Sequence, residues 1–141
     1  MKVVDANVLL YAVNSDAVHH QTARSWLTAV LNAQEPVGFT WIVLLAFVRL
    51  ATSGAILPRP LDLETATSLV DAWLGRPHSV LLEPRPGHLS RLRELLAATG
   101  SAGNLVNDAH IAAVALEHKA TVVSYDNDFS RFPGVRWELP G

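Results

Sequence analysis

Apolar positions along the chain change rhythm repeatedly. Short β-branched runs alternate with longer stretches of helical period, the arrangement expected of strands and crossover helices in a parallel α/β sheet. Lys2–Val4 reads as the first strand, Asp5 ends it, and residues 8–13 read as a short helix. Ser15 or Asp16 offers an oxygen to cap the next helix, whose buried stripe is Ala23, Trp26, Leu27, Val30 and Leu31. Pro36 stops that helix, Val37–Phe39 reads as the second strand, and Thr40 is placed to cap an apolar helix over residues 41–52.

Gly54 and Pro58-Arg59-Pro60 then predict a loop, followed by a helix over residues 62–74 that Gly75 and Pro77 terminate. A strand is expected over residues 79–82 and a helix over 87–98. The small residues Gly100-Ser101-Ala102-Gly103-Asn104 come next as a candidate mobile loop. Residues 108–118 are apolar on nearly every side, which implies a helix packed among neighbours. Thr121–Val123 is the next strand, and residues 135–137, after the Pro133-Gly134 turn, read as a last edge strand.

Composition narrows the class. With 141 residues, half of them hydrophobic and 17% charged, the chain is expected to fold as one domain spanning residues 1–141. A net charge of -2 supplies no overall positive field for polyanions, so any nucleic-acid surface has to be a local cluster of Arg and Lys. The absence of cysteine removes disulfides, zinc thiolates and thiol nucleophiles. Asp5 interrupts what would be the apolar part of a signal peptide, and no later run approaches a membrane span; a cytoplasmic protein is expected.

Three acids fall at the ends of expected elements: Asp5 after the first strand, Asp108 at the start of the apolar helix, and Asp126 after the Thr121–Val123 strand, with Asp128 nearby. In a parallel sheet the carboxyl ends of the strands line one edge, where ligands bind. Carboxylates gathered there repel by roughly 4 kcal/mol per pair at about 4 Å and an effective dielectric near 20. Either a proton is retained or a hard divalent cation is bound, and magnesium suits a site of few carboxylates. Simpler roles compete. Asp108 is a good helix cap, and Asp126-Asn127-Asp128 is a good polar turn. Asp5, between Val3-Val4 and Val8-Leu9-Leu10, is harder to explain without chemistry.

The order of four blocks resembles the PIN-domain ribonucleases, and among them the VapC toxins of toxin–antitoxin systems. The blocks are residues 3–12 (VVDANVLLYA), residues 41–52 ending in FVRLAT, residues 107–113 (NDAHIAA), and SYDNDF at 124–129 followed by RFPG at 131–134. The resemblance implies a three-layer α/β sandwich with a mostly parallel central sheet flanked by helices. It implies Asp5 and Asp108 as principal metal ligands, Asp126 as a further acid on the metal or its water, and Asp128 as a weaker candidate. Asn7 and Ser124 would orient those acids by hydrogen bonds. The implied activity is magnesium-dependent endoribonuclease, with manganese as a substitute, acting on RNA through a metal-activated water. The implied partners are a cognate antitoxin protein and a second copy in a homodimer, with no membrane.

One departure matters. Ala46 stands where the family commonly carries a glutamate, which favours one firmly held magnesium over two. Two rival readings follow from the acids. A haloacid-dehalogenase-like phosphatase would use Asp5 as nucleophile, although Asp5-Ala6-Asn7 lacks the second aspartate such enzymes use. A non-catalytic scaffold would only bind RNA or a partner.

Other residues point less sharply. Arg49, Arg24, Arg85, Arg91, Arg93 and Arg131 read as solvated helix residues. Trp26, Trp41, Trp73 and Trp137 read as core or subunit contacts rather than base-stacking groups. The histidines show no HExxH spacing, and no glycine-rich loop for a nucleotide is present.

Overall fold

The computed structural model describes residues 1–141. β1 (Lys2–Val4) leads into α1 (Ala6–Val13) and α2 (His20–Asn32); β2 (Val37–Phe39) leads into α3 (Trp41–Ala51) and α4 (Leu63–Leu74). β3 (Ser79–Leu81) precedes α5 (His88–Thr99), a 3-10 turn (Gly103–Leu105) and α6 (Val106–Glu117). β4 (Thr121–Val123), a second 3-10 turn (Asn127–Arg131) and β5 (Trp137–Glu138) complete the chain. The strands lie in the order β3-β2-β1-β4-β5, and every neighbouring pair is parallel. The expected mostly parallel sheet is therefore wholly parallel.

Burial explains the three layers. Successive strand residues point to opposite faces, yet Val3 and Val4 in β1, and Val122 and Val123 in β4, are all completely buried. Helices must cover both sides, as parallel sheets require. The strongest helix contacts chain α1 to α2 and α3, and α3 to α4, while α5 packs on α6. Phe47 of α3 meets Trp73 of α4 edge to face, with ring centroids 4.8 Å apart. Under these helices β2 runs close to its neighbours: a Cβ at Gly38 would lie 2.6 Å from Leu82 Cδ1. No helix is long and apolar enough to cross a membrane.

Several boundaries differ from the sequence reading for identifiable reasons. α1 begins at Ala6 rather than residue 8, because Asp5 caps it and accepts from the Ala6 N–H at 2.7 Å. α2 begins at His20, and neither Ser15 nor Asp16 caps it. Those two side chains instead receive the Arg59 guanidinium, at 2.8 Å for Ser15 Oγ and 3.1 Å for Asp16 Oδ1. Thr40 precedes α3 but its side chain makes no capping bond. The small-residue segment contains the 3-10 turn Gly103–Leu105, and Gly100 closes α5 with a φ of 68°, a conformation that favours glycine. The last strand is Trp137–Glu138 rather than 135–137; it pairs with β4 and its Trp137 indole N–H donates to the Ser124 carbonyl at 3.0 Å.

α5 is braced on α6 by a polar chain. The buried Glu117 carboxylate accepts from the Arg85 N–H at 2.8 Å, lies 2.7 Å from His88 Nδ1, and pairs with Arg91 at 3.3 Å. His88 Nε2 in turn lies 2.8 Å from His110 Nδ1. Only three polar residues are otherwise deeply buried in the fold: Asp5, Thr40 and Ser124. They follow β1, β2 and β4 directly, so all three sit at the carboxyl edge of three adjacent strands.

Candidate metal centre

The β1–β4 ladder and the β4–β5 ladder each extend one residue past the end of a strand. The Asp5 N–H donates to the Val123 carbonyl at 3.0 Å, and the Ser124 N–H donates to the Glu138 carbonyl at 3.1 Å. This fixes the backbone under both side chains. Ser124 Oγ donates to Asp5 Oδ2 at 2.6 Å and accepts from Asn7 Nδ2 at 3.0 Å and from the Asp126 N–H at 2.9 Å. Asn7 Nδ2 also lies 3.3 Å from Asp5 Oδ2, and its Oδ1 accepts from the Tyr125 N–H at 3.1 Å. One hydroxyl thus ties the end of β1, the start of α1 and the loop after β4.

Above this knot, ligand oxygens of Asp108, Asp126 and Asp128 lie within 4.8 Å of one another, and all three residues are half-buried. Asp108 is the third residue of α6 and no side chain caps that helix, so the capping role does not account for it. Asp126 does act as a turn residue as well: its Oδ1 accepts from the Asp128 N–H at 2.9 Å. That turn is what brings Asp128 round to the other two acids. Asp5 is not one of the group of three. It is 7% exposed, and both of its oxygens are held by Ala6, Ser124 and Asn7.

The electrostatics follow from this layout. Burial raises the Asp5 carboxyl above its ordinary value; bonds from Ser124 and Ala6 oppose the rise, and the charge of Asp126 adds to it. Asp108 is pushed up to about 7, first by burial and then by the charges of Asp126, Asp5 and Asp128 and a hydrogen bond shared with Asp126. Asp108 therefore holds its proton below about pH 7 and is largely ionised only above it. Arg131 stands 3.8 Å from Asp128 at the outer edge, an exposed pair that relieves little of the repulsion.

The donor set fits a hard divalent cation. An octahedral magnesium with oxygens at about 2.1 Å holds them roughly 3 to 4 Å apart, slightly tighter than this cluster, and it accepts waters where carboxylates are few. α3 offers no carboxylate: Ala46 lies on it partly buried, and Arg49 is exposed. Thr40 is the polar group that the sequence reading used otherwise. Its Oγ1 is buried with no hydrogen-bond partner, at the carboxyl end of β2 beside β1. The only signal in the sequence was its place directly after a strand, the position that Asp5 and Ser124 also hold.

The largest cavity, about 550 Å³, is an apolar groove along α5 lined by Leu89, Leu92 and Leu96 and by none of the acids. The group of three acids lies apart from this groove, next to the carboxyl ends of the strands.

The PIN domain family profile matches residues 2–135. Ribonuclease VapC37 of Mycobacterium tuberculosis is 53% identical over 140 residues, covering 99% of this chain and 97% of that protein. Among solved structures, VapBC2 from Rickettsia felis bound to a DNA fragment from its promoter superposes with a TM-score of 0.71 at 23% identity, covering 98% of this chain and 97% of that one. Mycobacterium tuberculosis VapC20, described as a sarcin-ricin loop cleaving toxin, superposes with a TM-score of 0.69 at 19% identity, covering 96% of this chain and 99% of that one.

Proposed function

The chain belongs to the PIN-domain family, and from that premise we propose that it is a divalent-metal-dependent endoribonuclease, the toxin of a toxin–antitoxin pair. The observation that carries the chemistry is the meeting of Asp108, Asp126 and Asp128 at one point, where repulsion is relieved only by a proton or a cation. The nuclease reading draws on the relative named ribonuclease at 53% identity.

In this reading Asp108, Asp126 and Asp128 would hold magnesium, or manganese in its place, and Asp5 would add negative charge beside them. When bound, the ion supplies positive charge to the scissile phosphate and lowers the pKa of water. The protein's own contribution is preorganisation. Ser124 and Asn7 fix the Asp5 carboxylate, Ser124 fixes the Asp126 backbone, and Asp126 fixes Asp128. Asp108, whose carboxyl stands at about 7, would have to be ionised to serve as a ligand. In-line attack by water on the phosphodiester would leave a 5′-phosphate and a 3′-hydroxyl.

The phosphatase reading fares worse. A nucleophilic Asp5 needs an oxygen free to attack, and here Oδ1 accepts from Ala6 while Oδ2 is held by Ser124 and Asn7. A cognate antitoxin and a homodimer complete the proposal. The exposed Trp41 and Leu45, beside a groove of about 270 Å³ between α3 and α4, give apolar surface for such a contact.

The test uses end-labelled RNA, purified protein and magnesium. Cleavage is expected, and it should vanish with a chelator and in Asp108→Asn while the circular dichroism spectrum is retained. RNA left intact by the parent protein with magnesium, or cut equally by Asp108→Asn, overturns the proposal and leaves a binding scaffold.

A further inference from the structure

A cluster of three polar aromatic rings adjoins the acids and plays no part in holding them. The His19 ring stacks on Tyr125 with centroids 4.4 Å apart and an interplanar angle of 15°. Tyr11 packs obliquely against both, at 5.3 Å from Tyr125 and 5.9 Å from His19. Tyr125 lies between Ser124 and Asp126, with its N–H bonded to Asn7. Tyr11 is one turn beyond Asn7 on the same face of α1. Tyr125 thus directly precedes Asp126 of the cluster, and Tyr11 lies one helical turn from Asn7, which bonds Asp5.

Core packing accounts for Tyr11 and Tyr125, which lie partly buried against the hydrophobic core, but not for His19. His19 is exposed, precedes α2 without capping it, and follows Val18, which is 96% exposed. Tyr125 Oη is buried without a hydrogen-bond partner. Leaving a buried hydroxyl unpaired is unfavourable, and a hydrophobic ring would pack there without that penalty. His19 is thus an exposed ring held in a stack on Tyr125.

We propose that Tyr11, His19 and Tyr125 form a stacking subsite that receives one unpaired base of single-stranded RNA beside the scissile phosphate. The inference rests on the nuclease reading and deepens it. A base laid on His19 continues the Tyr125–His19 stack. Bases in single strands are free to splay onto aromatic faces in this way. Stacking also suits a chain with a net charge of -2, since it gains affinity from bases where no general positive field gathers phosphates.

The experiment uses Asp108→Asn as a non-cleaving parent and measures binding of two probes in magnesium. One is a pool of ten-nucleotide RNAs of random sequence; the other is an abasic strand of the same length. Adding His19→Ala should weaken RNA binding by between about fivefold and a hundredfold. It should leave abasic-strand binding unchanged, and His19→Phe should restore RNA binding. Equal losses for both probes, or no loss for RNA, overturn the subsite while the nuclease reading stands. If wild-type protein cuts no RNA and the parent binds none, both fall together.

Discussion

Replacing Asp108 by Asn should stabilise the metal-free protein at high pH. The side chain is nearly isosteric, and the substitution removes a charge that the folded state resists. Holding a carboxyl at about 7 instead of 3.8 corresponds to about 4 kcal/mol against the ionised form, were the group fully shielded from water. Asp108 is only half-buried, so solvent screening reduces this to about 1–2 kcal/mol. Between pH 3.8 and 7 the folded state keeps a proton that the unfolded chain has released. Wild-type stability therefore falls as pH rises through that window, and the whole penalty is present above it. Below the unfolded value Asp108 is neutral in both states, and the two proteins should match.

The assay is urea unfolding of wild type and Asp108→Asn in chelator, at pH 4, 6 and 8. The advantage of the variant should grow from near zero at pH 4 to about 1–2 kcal/mol at pH 8, with a rise in melting temperature of roughly 3–8 °C. Magnesium should stabilise wild type at pH 8 and reduce the difference. A variant less stable than wild type at pH 8, or a difference that does not vary with pH, would refute the electrostatic argument.

Further consequences can be checked by the same unfolding assay. Ser124→Ala leaves Asp5, Asn7 and the Asp126 N–H without their shared partner, and should cost about 2–4 kcal/mol along with most of the cleavage. Thr40→Val replaces a buried, unpartnered hydroxyl by a methyl, and stability should stay the same or rise; a loss above about 1 kcal/mol would mean that Thr40 Oγ1 has a partner. Gly38→Ala places its Cβ against Leu82 and should lower stability by about 1–3 kcal/mol, unless Leu82 repacks without loss.

The strands and most helices were legible because period and burial agree: two buried faces demand continuous β-branched runs such as Val3-Val4 and Thr121–Val123. Asp5, Asp108 and Asp126 were legible as residues at element ends. What the sequence did not reveal depends on side chains meeting across distance. Arg59 takes Ser15 and Asp16 away from α2, and nothing local to residues 15–20 reports that. Asp128 reads as the weaker acid in the sequence, yet the Asp126 turn carries it into the group of three while Asp5 recedes into its bonds with Ser124 and Asn7. The pairing of His88 with Glu117 and His110 is equally tertiary, since those residues are 29 and 22 positions apart.

Proton release on magnesium binding tests the central claim most directly. Calorimetric titration in two buffers of different ionisation enthalpy counts the protons displaced per ion. With Asp108 held at about 7, binding at pH 6 should release close to one proton, roughly 0.9, and binding at pH 9 almost none. Asp108→Asn should abolish the release. Magnesium binding with no proton released at pH 6, or no magnesium binding at either pH, would contradict a site in which one cation replaces one proton among three carboxylates.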